Sequence, residues 1–567
     1  MLRVGLRACL LPAREQKTAV PDPKTPAPES TTSVHAAKGA SRPRRLTGAL
    51  AVAAGIFLSR VAGLLRERAI AHFLGVSAAA DAFRAALRIP NLLQNLLGEG
   101  VLSASFIPVY ARLLAEGKTE EAGRVARAVA TLLALCAGLL ALFGMLFAEQ
   151  LVALLAPGFK AATLLLTVEL VRILFPGVAL LVMAAFCLGV LNSHRRFFLS
   201  YASPVLWNAA LIAAVVVAGL QQGSDDHSIA VWLAFGAVGG SLAQLLVQLP
   251  SVVRLLGSVR PVLSLKEPGV RRTLRAFFPV LLGRGSVQIS GYIDQILASY
   301  MGEGIVAALS NAQTLYLLPV SLFGMAVSAA ELPEMSGALG DDRARAAHLH
   351  SRLGPALRRV VFMVVPSAIA FVTIGDAIVG LLFQGGRFDV AATHAVWLLL
   401  AGSAVGLSAG TQGRLLASAL YALEDPRAPL RASLVCVLLT AVAGYLVTFP
   451  LAQRVGYEAL IPPVLLTTSA GLAAWVEFFL LRSELSAKIG RVPVPTRLGL
   501  GALLVALAAG GAARLAFQGL SALGVPSWVG MLSCVASFGL VYAGGMWIFK
   551  VPEARMLVGR VLRRRGN

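Results

Sequence analysis

Four charged side chains, Arg60, Arg66, Glu67 and Arg68, stand inside one apolar stretch, LTGALAVAAGIFLSRVAGLLRERAIAHFLG, residues 46–75. A guanidinium at the centre of a bilayer costs about 3 kcal/mol even on forgiving insertion scales, so it is aimed at a polar cavity or an anion rather than at lipid. Guanidinium groups suit phosphate because they stay charged and bond its oxygens in pairs. Counting about 1.5 Å per residue from residue 46, Arg60 lies roughly 20 Å into a membrane and Arg66 roughly 30 Å. No acid lies one turn from Arg60 on its own helix, which favours an anion contact in a cavity. For Arg68 and Arg84, pairing with Glu67, Asp81 or Glu99 competes with that role: Asp81 and Arg84 are three residues apart, and Asp81 suits a helix cap.

Arg88 adds a further cation to the second span, so five of the nine arginines in or near spans lie in the first two. The others are Arg172, Arg284, Arg414 and Arg514. In LLGRGSVQISGYIDQILASYMG, Arg284 and Asp294 are ten residues apart. Asp294 either serves as a cation or proton site for coupling or balances Arg284 across a cavity. No nucleotide-binding loop, nucleophile elbow or HExxH motif accompanies these residues, so the chain reads as a transporter, not an enzyme, with no cofactor. The five cysteines are scattered without metal-ligand spacing, and neither a metal site nor a disulfide framework is expected.

The elements that must position these residues are membrane helices. Of 567 residues, 57% are hydrophobic and 14% charged, with a mean hydropathy of +0.77, which excludes a soluble globular domain. The absence of period-2 alternation excludes a β-barrel. The pattern predicts an all-α polytopic membrane protein of about fourteen spans. They start near residues 46, 79, 124, 161, 198, 228, 273, 304, 356, 390, 428, 458, 496 and 526. With both termini cytoplasmic, the inside segments hold 38 of the 50 Lys and Arg, and the outside loops only Lys160, Arg387 and Arg454. That asymmetry is what positive-inside insertion demands. The net charge of +22 is therefore a topology signal, and its dispersal between spans argues against nucleic-acid binding. Membrane lipids are expected partners of the tail RMLVGRVLRRRGN.

AEQLVALLAPGF near residue 150 and GDAIVGLLFQGGRF near residue 376 repeat one design, with Phe159 and Phe388 offset by 229. GVLNSHRRFFLSYASPVLWN and SALYALEDPRAPLRASLV obey the same offset. Two parallel six-span halves follow, a design in which transporters bind substrate between halves. The expected organisation is a disordered basic tail (1–45), cytoplasmic or the product of a start assigned too early, then a first lobe (46–257) and a second lobe (258–490). Two appended spans (491–550) and a basic cytoplasmic tail (551–567) complete it. Pro90, Pro108, Pro176, Pro204, Pro279, Pro319 and Pro366 mark candidate bends.

SRVAGLLRERAIAHFLGVSAAADAFRAALRIPNLLQNLLGEGVLSASFIPVY resembles the signature of the MurJ (MviN) lipid II flippases of the multidrug/oligosaccharidyl-lipid/polysaccharide exporter superfamily. LLAPGF, LNSHRRF, LYLLPVSLFGMAVSAAELPEMS and LLFQGGRF extend the resemblance over roughly residues 46 to 550. It implies a flippase carrying undecaprenyl-pyrophosphate-linked disaccharide-pentapeptide from the inner to the outer leaflet of the bacterial inner membrane for peptidoglycan synthesis. It also implies two six-helix lobes around a cationic cavity and two final helices forming a groove for the lipid tail. By motif, Arg60 and Arg66 match arginines the family needs in that cavity, and Asp81 matches its motif acid. Gln94 and Thr314 stand where many members carry arginine. Arg84, Arg88 and Arg284 are the candidates to restore that charge; a different substrate is the alternative. Acids in spans 7 and 11 bind sodium in some members, and Asp294 and Asp425 are the corresponding candidates here. The driving force is then a sodium ion or the membrane potential. Export of another polyprenyl-linked glycan, or a transport-dead scaffold for cell-wall enzymes, are the competing functions.

Overall fold

A computed structural model describes residues 42–221, 223, 225–258, 260–325, 327, 328, 331, 335, 342–423, 425–456 and 460–555. For helix residues 42–54, 56, 89, 96, 99, 100, 278–290, 342–345 and 455 it describes the backbone alone. Residues 1–41 of the expected tail and most of 551–567 lie outside the described residues.

Hydrocarbon offers no partner to a backbone N–H or C=O, so a spanning segment must satisfy them within itself, and the apolar runs fold accordingly into helices. The first half comprises α1 (Arg42–Leu74), α2 (Ala78–Leu97), α3 (Glu99–Ser105), α4 (Ile107–Ala115), α5 (Thr119–Leu146), α6 (Ala148–Leu155), α7 (Ala161–Ser193), α8 (Phe197–Ala202), α9 (Pro204–Leu220) and α10 (Asp226–Leu256). The second begins with α11 (Pro268–Ala298), α12 (Ile305–Pro319), α13 (Asp342–Thr373), α14 (Gly375–Phe383), α15 (Val390–Ala404) and α16 (Leu407–Ala422). It continues through α17 (Arg427–Leu446), α18 (Ala452–Val455) and α19 (Ile461–Ile489), and α20 (Thr496–Ala522) and α21 (Ser527–Ile548) follow. No β-strand occurs among the described residues, and the chain is an all-α, multi-pass membrane protein.

Ten helical stretches among the described residues are long and apolar enough to cross a bilayer, eleven if the bent pair α15–α16 is one span. The remaining expected spans coincide with α1, α2 and α11, the helices that carry most of the charges read from the sequence as site candidates. Helix α13 starts well before the expected residue 356, because Leu349 and Leu353 on its polar first turns are buried in the second-half core. Prolines do not make the sharpest break. Pro108 and Pro204 occupy the first turns of α4 and α9, where a missing N–H costs nothing. The 46° bend between α15 and α16 falls instead at Gly406, where a Cβ would stand 2.5 Å from the Gly471 Cα.

From Gly48 onward the chain forms one compact unit holding three clusters of buried apolar side chains. One is centred on Phe83, Tyr110 and Phe175, a second on Leu309, Phe383 and Leu415. The third joins α20 and α21 to α13, where Ala502, Ala506, Ala509 and Ala513 let the backbones approach closely. There Tyr542 Oη donates to the Phe362 carbonyl at 2.8 Å.

The two repeated Gly turns meet the opposite half. After α6, Gly158 N donates to Ser299 Oγ at the end of α11 (3.1 Å). After α14, Arg387 N donates to the His72 carbonyl in the last turn of α1 (2.8 Å). Each turn thus docks on the end of the other half's first helix. Gly386 makes the second docking possible: its φ is +59°, and a Cβ there would lie 2.4 Å from the His72 oxygen. Two ion pairs flank the dockings, Lys160–Glu303 at 2.9 Å and Arg387–Asp226.

Candidate functional site

A cavity of about 510 Å³ is lined from both halves, with Arg60, Arg66 and Glu67 on α1, Asn208 on α9, and Thr314 and Leu317 on α12. Arg60 is exposed on its wall and makes no hydrogen bond or ion pair among the described residues. Arg66 is held on three sides. One terminal nitrogen donates to Asn208 Oδ1 at 2.9 Å, the other pairs with Glu67, and its guanidinium lies 4.9 Å from the centre of the Trp207 ring. The cavity therefore presents one uncommitted cation beside one already oriented.

Glu67 is buried, its side chain 4% exposed, and its second oxygen pairs with Arg84 of α2. Arg84, with a side chain 9% exposed, also donates to Asn311 Oδ1 on α12 at 3.1 Å. Asn311 precedes Thr314 by one helical turn. Arg66, Glu67, Arg84 and Asn311 thus form one continuous chain of polar contacts from α1 through α2 to the second half.

Several expected site residues are engaged elsewhere. Asp81 is no wall of this cavity: its buried carboxylate accepts from Gly304 N (2.5 Å) and Ala307 N (2.7 Å), capping α12 from another helix. Four unsatisfied N–H groups and a positive dipole end make a helix N-terminus a natural partner for a carboxylate. Arg88 does not supply the missing charge directly either. It donates to the Gly291 carbonyl at 2.5 Å and lies 5.3 Å from the Tyr292 ring, and Tyr292 Oη donates back to the Arg88 carbonyl. Arg84 stands behind Glu67 rather than on the cavity wall, and Arg68 donates to the carbonyls of Leu381 and Leu382 at the end of α14. The Arg284 side chain lies outside the described residues.

Of the two coupling candidates, Asp425 is in a connecting loop, where it pairs with Lys488 (2.9 Å) and accepts from the backbone N–H groups of Arg427 and Ala428. Lys488 holds its carboxyl below the usual carboxylate range. It is a cap and a surface ion pair, and it does not join Asp294. Asp294 on α11 has a buried oxygen, Oδ1, without a hydrogen-bond partner. A carboxylate oxygen is a hard donor of the kind a small cation takes. Among the described residues, no group of three or more His, Cys, Asp and Glu could hold a metal ion.

The sequence pattern did not single out Asn208 and Asn311, because an amide in a membrane helix takes its meaning from the partner that faces it.

The family model for lipid II flippase MurJ matches residues 70–517. A lipid II flippase MurJ of Burkholderia cenocepacia is 30% identical over 514 residues, covering 88% of this chain and 96% of that protein. A probable lipid II flippase MurJ of Rhizobium meliloti is 32% identical over 434 residues, with 75% and 78% covered. A solved lipid II flippase MurJ in an inward closed conformation superposes with a TM-score of 0.72 at 20% identity, over 90% of this chain and 100% of that one. An inward-facing multidrug resistance MATE transporter of the MOP superfamily shares the fold at a TM-score of 0.60 and 17% identity, over 77% and 98%. The chain belongs to the lipid II flippase MurJ family.

Proposed function

We propose that this protein flips lipid II, the polyprenyl-pyrophosphate-linked peptidoglycan precursor, from the inner to the outer leaflet of the bacterial cytoplasmic membrane. The observation that carries the proposal is the cavity shared by α1 and α12, with an uncommitted Arg60 beside an oriented Arg66. A pyrophosphate leaving water needs compensating positive charge and hydrogen bonds, and these side chains supply both. Arg84 bears on this although it stands behind the wall, because it cancels the Glu67 charge that would otherwise offset Arg66. Three guanidiniums against one carboxylate leave an excess of two positive charges for the diphosphate.

The reading includes fourteen spans, both termini in the cytoplasm and no catalysis by the chain itself. Flipping proceeds by rocking of the two halves. With the repeated turns docked at the outer end, loading comes from the basic, cytoplasmic end. Asp294, with its buried unpartnered oxygen, is the coupling site for a sodium ion or proton, and the membrane potential is the other available force. Cell-wall synthesis enzymes are the partners such an export serves.

Expression in a cell depleted of its own lipid II flippase tests the proposal. Restored growth, with lipid II reaching the outer leaflet, is the expected result. Normal membrane insertion without rescue would refute it and favour another polyprenyl-linked glycan or a scaffold.

A further inference from the structure

A second cavity lies between α5, α7 and α10 and the start of the segment that follows α10, with a volume of about 480 Å³. Its wall is apolar, formed by residues such as Leu135, Met183, Phe186, Leu245 and Leu249, while Arg127 and Arg260 stand together at one end. No acid lines it. Leu135 is 48% exposed and Leu246, next in sequence to the lining Leu245 on α10, 53%, so this is the face the protein turns to lipid. It is separate from the Arg60 cavity but shares a helix with it: Cys187 lines one and Leu188 the other.

The charged end is built. Arg127 Nε is buried without a hydrogen-bond partner, a costly condition for a guanidinium unless an anion reaches it. The segment bearing Arg260 is tied over the cavity by Val262 N donating to Thr131 Oγ (3.1 Å), which donates to the Arg127 carbonyl (2.9 Å). That segment is also the start of the connection between the halves.

We propose that this cavity is a binding site for an anionic phospholipid, its phosphate held between Arg127 and Arg260 and one acyl chain lying in the apolar slot. Charge complementarity selects the occupant. An acyl chain alone leaves the two guanidiniums unanswered, a soluble anion leaves the slot unfilled, and a zwitterionic lipid brings a second cation to a cationic rim. Basic pockets between membrane helices take anionic headgroups for the same reason. The volume is in the range of small-ligand sites, roughly 300–1,000 Å³.

The test uses the full-length protein in nanodiscs of phosphatidylcholine with a trace of phosphatidylglycerol carrying a photoreactive acyl chain. Label is expected on peptides from 130–135, 183–187 and 245–252, and unlabelled phosphatidylglycerol should displace it where phosphatidylcholine does not. Arg127→Gln with Arg260→Gln should raise the phosphatidylglycerol concentration needed for displacement roughly tenfold, as loss of charge-assisted hydrogen bonds predicts. Arg254→Gln with Arg271→Gln, equally basic but outside the cavity, should leave it unchanged. Label confined to other helices overturns the site in the unaltered protein, whether or not the variants fold. Equal weakening by both pairs of substitutions would show diffuse attraction to the basic end and overturn it as well.

Discussion

Arg84→Ala separates a charge-compensating role from a purely structural one. The substitution removes the pairing with Glu67 and the 3.1 Å bond to Asn311. Glu67 is not left bare, since Arg66 still pairs with it, so the destabilisation should stay below the ~3–5 kcal/mol of a buried charge stripped of its partner. The cavity, however, loses one of its two excess positive charges, because Glu67 now offsets Arg66 alone. One hydrogen bond to a charged group contributes about 1.5–3 kcal/mol. At about 1.4 kcal/mol per decade, binding of lipid II should weaken ~10–150-fold. Binding to purified protein, read by native mass spectrometry, measures this, and leaflet accessibility of lipid II in flippase-depleted cells reads the consequence. The double variant Arg84→Ala/Glu67→Gln restores the excess of two charges and should recover much of the lost affinity, although it repairs no bond to Asn311. A double variant no better than the single one, in protein that remains folded, would refute the charge argument and leave Arg84 as a clamp between α2 and α12.

Arg60→Ala should abolish flipping at normal membrane levels, and Arg60→Lys should recover part of it, since an ammonium lacks the planar fork; normal growth on Arg60→Ala removes the residue from the mechanism. Asp81→Ala should lower the thermal stability of the detergent-solubilised protein by about 1 kcal/mol, the usual worth of a helix cap, and an unchanged melting temperature contradicts the capping role. Asp425→Asn should leave flipping intact while Asp294→Asn impairs it and changes its ion dependence; the reverse order would return the coupling site to the loop. Gly158→Ala should lower the thermal stability of the detergent-solubilised protein, since a Cβ there would lie 2.5 Å from the Tyr300 backbone nitrogen, and an unchanged melting temperature would show that the turn is not tightly docked.

The class of fold was legible because it depends on local composition: an apolar run of sufficient length has no stable alternative in a bilayer. The repeat was legible for a related reason. Its turns need Gly at fixed positions whatever lies around them, and the two turns it exposed prove to be where the halves dock. Placement of charges was most readily legible where a residue had no nearby partner of its own. Arg60 is such a residue, and it stands uncommitted on the cavity wall. Asp81, Arg84 and Arg88 each found a partner more than 200 residues away: Gly304, Asn311 and Gly291.

Those three long-range contacts have a common form that bears on how the site works. In each, a charged side chain on α2 reaches a backbone or amide group on α11, α12 or the turn between them. The helix expected to bring extra cations to the substrate instead fastens the first half to the helices that open the second. A backbone carbonyl or N–H is a partner that any sequence supplies, which is why no motif announced it. The halves cannot part at α2 without releasing Arg84 from Asn311. Releasing it alters the partner set of the arginine that neutralises Glu67, and through Glu67 that of Arg66 on the cavity wall. Opening of the halves and the cavity's hold on an anion are thereby linked through a single contiguous set of side chains.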